Sequence, residues 1–215
     1  MSRETGSLSA FKGKLIGGGA RPNLFKVELA PPEDLNVQGN AAFKDDRFSF
    51  LCKAASLPAS NIASIDVPFR GRIFKVAGDR TVENWTVTVI NDEDFVYRTA
   101  FEDWMQRINR LENNVGVTNP NAYMADAEVI QLGKGHVMGK DDNKGKKNNS
   151  PVQYTGTAKV ASLARYKFQD IWPVNVSAID LSYENSDQIE EFTVEFAVQS
   201  YSTMVAKGEG GTVLI

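Results

Sequence analysis

The chain has 215 residues, 42% of them hydrophobic and 10% aromatic, enough for one core carrying sizeable loops. A formal net charge of −3 gives no overall attraction to nucleic acid or to an anionic membrane, so any such contact must come from a local patch. The single cysteine, Cys52, excludes an intramolecular disulfide, and beside Phe48, Phe50 and Leu51 it reads as a small core hydrophobe.

No segment reaches the roughly 18 to 20 apolar residues needed to span a bilayer, and Met1 to Pro22 has no continuous apolar stretch. Expression in a cytoplasm without membrane insertion is expected. Residues 1–20, rich in Ser and Gly and closing on Gly17, Gly18 and Gly19, read as a flexible arm. In Asn23 to Ala30, Phe25, Val27 and Leu29 alternate with Lys26 and Glu28, the period of a half-buried strand that Pro31 and Pro32 stop. A polar loop over 33–47 leads to a second expected strand, Phe48 to Ala55.

From Ile62 to Val76 the chain reads as extended but interrupted by Pro68 and Gly71, which suits an edge or a protruding hairpin. Its basic residues Arg70, Arg72 and Lys75 are expected to face solvent or a partner. Gly78 and Asp79 then predict a turn into the strand Trp85 to Ile90, with Trp85, Val87 and Val89 on one face and Thr86 and Thr88 on the other.

The period changes at Tyr97, Phe101, Trp104, Met105, Ile108 and Leu111, whose spacings of three and four predict one amphipathic helix. Asn91 is placed as its N-cap, with Asp92, Glu93 and Asp94 in the first turn. An aromatic stripe of this kind also suits a ligand surface, but a helix laid on a sheet needs it for its own core. The expected helix-to-sheet core is Phe101, Trp104, Met105 and Ile108.

Ala122 to Leu132 reads as a strand, and 133–151, rich in Gly and Lys, as a flexible part of an insertion over 115–151. Further strands are expected at Val152 to Phe168, Val174 to Tyr183 and Ile189 to Tyr201, followed by a tail over 202–215. The fold class is therefore mainly β, many strands with one helix, its domain running over 21–201.

A search for chemistry finds none. His136 has no second histidine or cysteine to complete a metal site or a nucleophile pair. Gly133, Gly135 and Gly139 lack phosphate-loop spacing. Lys144, Lys146 and Lys147 adjoin Asp141 and Asp142, with no aromatic side chain between them for base stacking. Glu190 and Glu191 point to opposite faces of a strand rather than forming an acid–base pair. No enzyme, no cofactor and no metal are expected.

Four stretches occur in a familiar order: Ala20–Leu29 (ARPNLFKVEL), Phe50–Ala59 (FLCKAASLPA), Val76–Glu93 (VAGDRTVENWTVTVINDE) and Ile171–Val176 (IWPVNV) followed by the terminal strand from Ile189. Together they resemble the major tail tube protein of contractile-tailed bacteriophages, a family related to type VI secretion tube proteins. The resemblance covers about Arg21 to Tyr201. The loop over 33–47, the insertion over 115–151 and both termini look longer than the family pattern.

The resemblance implies an antiparallel β-sandwich or partial barrel with one flanking amphipathic helix, and a homo-oligomer: six copies in a ring, sheets joined into a continuous β-barrel wall, and rings stacked head to tail into a hollow tube within a sheath. It implies sheath, baseplate and tail-terminator partners, a passive conduit for DNA ejection, and a place in the virion after assembly in the host cytoplasm. On this reading the hairpin residues Phe69, Arg70, Arg72 and Lys75 are candidates for contact with the next ring. Thr86, Thr88, Thr193, Glu195 and Gln199 are candidates for the lumen, where contact with viral DNA must be transient and sequence-independent. Two alternatives stand beside it. One is a tube subunit of another contractile injection or type VI system, or a tube-end paralogue. The other is a monomeric β-sandwich module that binds a ligand through the 133–151 loop.

Overall fold

The computed structural model describes residues 8, 11–12, 15, 19–32, 43, 46–134, 136–137, 158–159, 162–184, 187–207 and 211–214. Its elements are β1 (Phe25–Ala30), α1 (Arg47–Leu51), β2 (Cys52–Ala55), β3 (Ser60–Phe69), β4 (Arg72–Val82), β5 (Trp85–Ile90), α2 (Val96–Ile108), α3 (Pro120–Tyr123), β6 (Ala125–Leu132), β7 (His136–Val137), β8 (Ala158–Lys159), β9 (Ser162–Val176), β10 (Glu191–Lys207) and β11 (Gly211–Leu214). The main sheet is antiparallel and runs β1-β6-β9-β10-β5-β2, with β11 added on β10 beyond the end of β5. It curls into a nearly closed barrel.

Alternation makes the core. Val27 and Leu29 on β1, Ala127 and Val129 on β6, Trp85, Val87 and Val89 on β5, and Phe192, Val194 and Phe196 on β10 all turn to one face and are buried. Over that face lies α2, whose Tyr97, Ala100, Phe101 and Trp104 recur at helical spacing. Phe101 meets Phe192 and Phe196 edge-on at ring distances of 6.2 and 5.9 Å, and Trp85 stacks on Phe168 at 4.6 Å. The polar ends of both buried indoles are satisfied: Trp85 Nε1 donates to the Ser56 carbonyl at 2.9 Å and Trp104 Nε1 to the Tyr123 carbonyl at 3.0 Å.

The gap between the sheet margins β1 and β2 is filled by α1. Phe48 is buried there against Phe43, Tyr97 and Phe101. Asp46, just before α1, accepts a 2.8 Å ion pair from Lys26 on β1. Burial pushes the Cys52 thiol up to about 12, as befits a core residue.

Several expected elements differ. Phe48 to Leu51 is helix, and only Cys52 to Ala55 is strand, because Phe48 points into the core while Phe50 is exposed. Gly78 and Asp79 make no turn. They are absorbed where the β3–β4 register shifts between Ile62 and Ser64, and β4 continues to Val82. Asn91 does not cap α2: it is buried, with Nδ2 donating to Glu190 at 3.0 Å. Asp92 and Asp94 pair with Arg47, and the helix begins only after Phe95, in left-handed backbone at φ 52°.

The same helix ends at Ile108, leaving Leu111 exposed, and Gly116 packs so closely on the Ile108 carbonyl that any side chain there would collide with it. Pro120 to Tyr123 is a short helix before β6 rather than the start of a strand. The strands expected to end at Phe168 and to begin at Val174 are one strand, β9. Two irregularities let it continue: one at Asp170, at φ 55°, opposite β6, and one beside Pro173, opposite Glu195 and Phe196 of β10. Residues 177–183 are not strand. The last long strand runs on to Lys207, and β11 folds back on it. Most of the 133–151 loop lies outside the described residues.

Candidate assembly surfaces

The β3–β4 hairpin stands apart from the main sheet as its own two-stranded ribbon. Its turn is Arg70 and Gly71, both with positive φ at 46° and 80°, while Phe69 pairs with Arg72. This is the two-residue geometry whose twist matches that of the flanking strands, and glycine supplies it without steric cost. Opposite pairs Ile65–Val76 and Val67–Phe74, with Phe69, give one face an apolar row; the other face carries Asp66 opposite Lys75, 4.0 Å apart. Phe69 and Phe74 are 65% and 67% exposed, although no large side chain is stabilised by facing water. The Arg70 guanidinium lies over the Phe69 ring at 5.4 Å.

At its base the hairpin is fastened. Arg80 donates to Ser60 Oγ at 3.0 Å and to the Tyr201 hydroxyl at 3.2 Å, and Asn61 donates to Glu83 at 2.5 Å. Arg80 precedes Trp85 and Tyr201 follows Phe196, the partner of Trp85 in the β5–β10 ladder. The lower hairpin therefore follows the extension of β10 beyond the end of β5. The sequence reading placed Phe69, Arg70, Arg72 and Lys75 on this projection, and all four are exposed on it. It missed the apolar row. The alternation Ile65, Val67, Phe69 was the available signal, and Pro68 obscured it.

On the outward side of β5 and β10, Thr88 and Thr193 are opposite each other with hydroxyls 3.5 Å apart, and Thr86 is opposite Glu195. Asn84 Nδ2 donates to Glu195 at 2.7 Å. These four expected lumen candidates form one polar patch, whereas Gln199 is exposed further along β10, past the end of β5. Further round the sheet, Lys26 pairs with Glu28 at 2.9 Å, Arg165 with Glu128 at 3.4 Å and Lys167 with Asp126 at 3.0 Å. Hydrogen bonds that the Lys26 ammonium donates to Asp46 and then to Glu28 hold it above its ordinary pKa, and a bond donated to Asp126 does the same for Lys167. Of the expected helix core, Phe101 and Trp104 are fully buried, and Met105 and Ile108 half-buried.

Among the described residues, no group of three His, Cys, Asp or Glu side chains is placed to hold a metal ion, and no helix is long and apolar enough to cross a membrane.

The model of the phage tail tube protein family matches residues 20–204. The tail tube protein gp19 of Enterobacteria phage T4 is 32% identical over 182 residues, spanning 85% of this chain and 90% of its own. That of phage T6 is 31% identical over the same shares. Two solved structures share the fold at low identity. A chain of the PVC sheath–tube complex, from an extracellular contractile injection system, aligns with a TM-score of 0.54 at 12% identity, covering 94% of this chain and 100% of that one. A chain of the anti-feeding prophage baseplate aligns with a TM-score of 0.53 at 11% identity, covering 88% and 97%. With a β-rich barrel, one covering helix and a family match over nearly its whole length, the chain belongs to the phage tail tube protein family, as a structural virion component and not an enzyme.

Proposed function

We propose that this subunit assembles into six-membered rings that stack into the inner tube of a contractile tail, a passive conduit for DNA ejection. One observation carries the reading: the β3–β4 hairpin, which reaches away from the core with its apolar face uncovered. An isolated two-stranded ribbon is marginal in water, so a long one with an apolar row is suited to being completed by a neighbour. Phe69, Arg70, Arg72 and Lys75 are assigned to the contact with the next ring. Sheath, baseplate and tail-terminator proteins are the remaining partners.

The lumen is assigned to the Thr86, Thr88, Thr193 and Glu195 patch, with Gln199 beside it. Each phosphate neutralised by a lysine or arginine strengthens DNA binding, so a wall of hydroxyl and carboxylate groups lets the duplex slide. Negative-stain electron microscopy of the purified subunit, over a range of concentrations and with baseplates added as nuclei, tests the proposal. Six-fold rings or hollow tubes are expected, and a monomer that fails to extend a baseplate overturns it. Arg70→Glu with Arg72→Glu is expected to leave the subunit folded by circular dichroism but to abolish stacking. Normal tubes from that double variant would remove the hairpin from the ring contact.

A further inference from the structure

At the Ile90 end of β5, the connection from β9 to β10 encloses a groove of about 670 Å³. Its wall includes Lys53, Asp180, Leu181, Ile189, Glu190 and Glu191. Leu181 and Ile189 are 79% and 72% exposed, so its apolar part is uncovered. Its charge is acidic, three carboxylates against one lysine, and Lys53 is already held by Glu191 at 2.5 Å. The upper hairpin has the opposite character. Arg70, Arg72 and Lys75 stand against a single carboxylate, Asp66, around the exposed rings of Phe69 and Phe74.

Topology keeps tip and groove apart within one chain. β5 and β10 are antiparallel, with Trp85 opposite Phe196 at one end and Ile90 opposite Glu191 at the other. The hairpin leaves from the Trp85 end, where Arg80 ties its base to Tyr201 on the part of β10 beyond β5. The groove, walled by Glu190 and Glu191, is at the Ile90 end, so six residues of strand, about 20 Å, separate it from the hairpin base. The tip lies further off again, beyond the ribbon. A tip and groove facing opposite ways cannot meet in one subunit, but they meet when a second copy is placed head to tail. That contact is heterologous and repeats without closing.

We infer that the Phe69–Arg72 tip of one subunit docks in the groove between Leu181 and Ile189 of a second copy. Arg70 and Arg72 then face Asp180 and Glu190, and Phe69 covers the exposed leucine and isoleucine. The inference rests on the tube reading and adds the receiving site to it.

The test mixes two single variants, Phe69→Cys and Leu181→Cys, assembles them, and oxidises. Both substitutions are at exposed positions, and the native Cys52 thiol is buried, so it supplies no competing bridge. A disulfide-linked dimer that needs both variants and appears only in assembled material is expected. A second arm combines Arg70→Glu and Arg72→Glu with Asp180→Arg, and should recover stacking that the change on either side alone loses. Tubes that form without the tip-to-groove bridge, and reversals that fail to rescue one another, overturn the docking and leave the tube reading intact. Unsubstituted protein that forms no tube, even on baseplates, overturns both.

Discussion

At the scale of single residues, the aromatic side chains under α2 tie the layers of the subunit together. Phe101 touches Phe43, Phe48, Phe192 and Phe196, thereby joining the helix, the closing segment and the sheet. Phe101→Ala removes a buried ring from a site with little freedom to collapse, and a loss of about 3–5 kcal/mol in denaturant unfolding is expected. A loss under about 1 kcal/mol would mean that α2 is not packed as described. Such residues were legible in the sequence because both periods point them inward, two for β5 and β10 and near 3.6 for α2. Asn91 was misread for a physical reason: a short polar residue before acidic ones has the composition of an N-cap, yet its amide is taken by Glu190, far away in sequence.

At the scale of elements, what was read correctly was what a local pattern specifies. The strand Trp85–Ile90 and the helix around Phe101 and Trp104 emerged from their periods. The single strand β9 did not, because Asp170 and Pro173 carry the composition of breakers, and only partners on both sides reveal them as irregularities inside a ladder. The apolar row of the hairpin was hidden for a similar reason, since a two-stranded ribbon without a core gives alternation no visible purpose. Its turn allows a separate test. Gly71 has φ 80° and nothing within 4 Å of where a side chain would begin, so Gly71→Val strains the backbone without a clash. Because the ribbon is outside the core, the subunit's melting temperature should change by less than about 2 °C for a ΔΔG below about 0.5 kcal/mol. Tube yield by sedimentation should fall sharply, and unchanged yield would show that the turn's shape does not matter to assembly.

At the scale of the whole molecule, the ionisable groups with raised pKa values predict weakness in alkali. A group whose folded pKa exceeds its unfolded value contributes stability that is complete below the unfolded value and lost as pH rises through the folded one. For Cys52 the decline begins near the thiol's ordinary value of 9.0 and runs to about 12; for Lys26 and Lys167 it begins near 10.5. The exposed lysine pairs contribute only about 0–1 kcal/mol each, so thiol burial should dominate. Thermal melts from pH 8 to 11 should therefore show a fall starting near pH 9 that moves to higher pH in Cys52→Ala, and an unmoved onset would place the effect elsewhere. The way α1 closes the barrel also bears on how the chain folds. Phe25 of β1 is opposite Gln131 and Cys52 of β2 is opposite Val89, so closing the sheet across α1 draws together segments far apart in sequence. Such non-local closure is slow, on the order of milliseconds to seconds. Until closure is complete β1 and β2 are bare edges in a crowded cell, and the short helix that covers the gap between them withdraws a nascent chain from the pool able to aggregate.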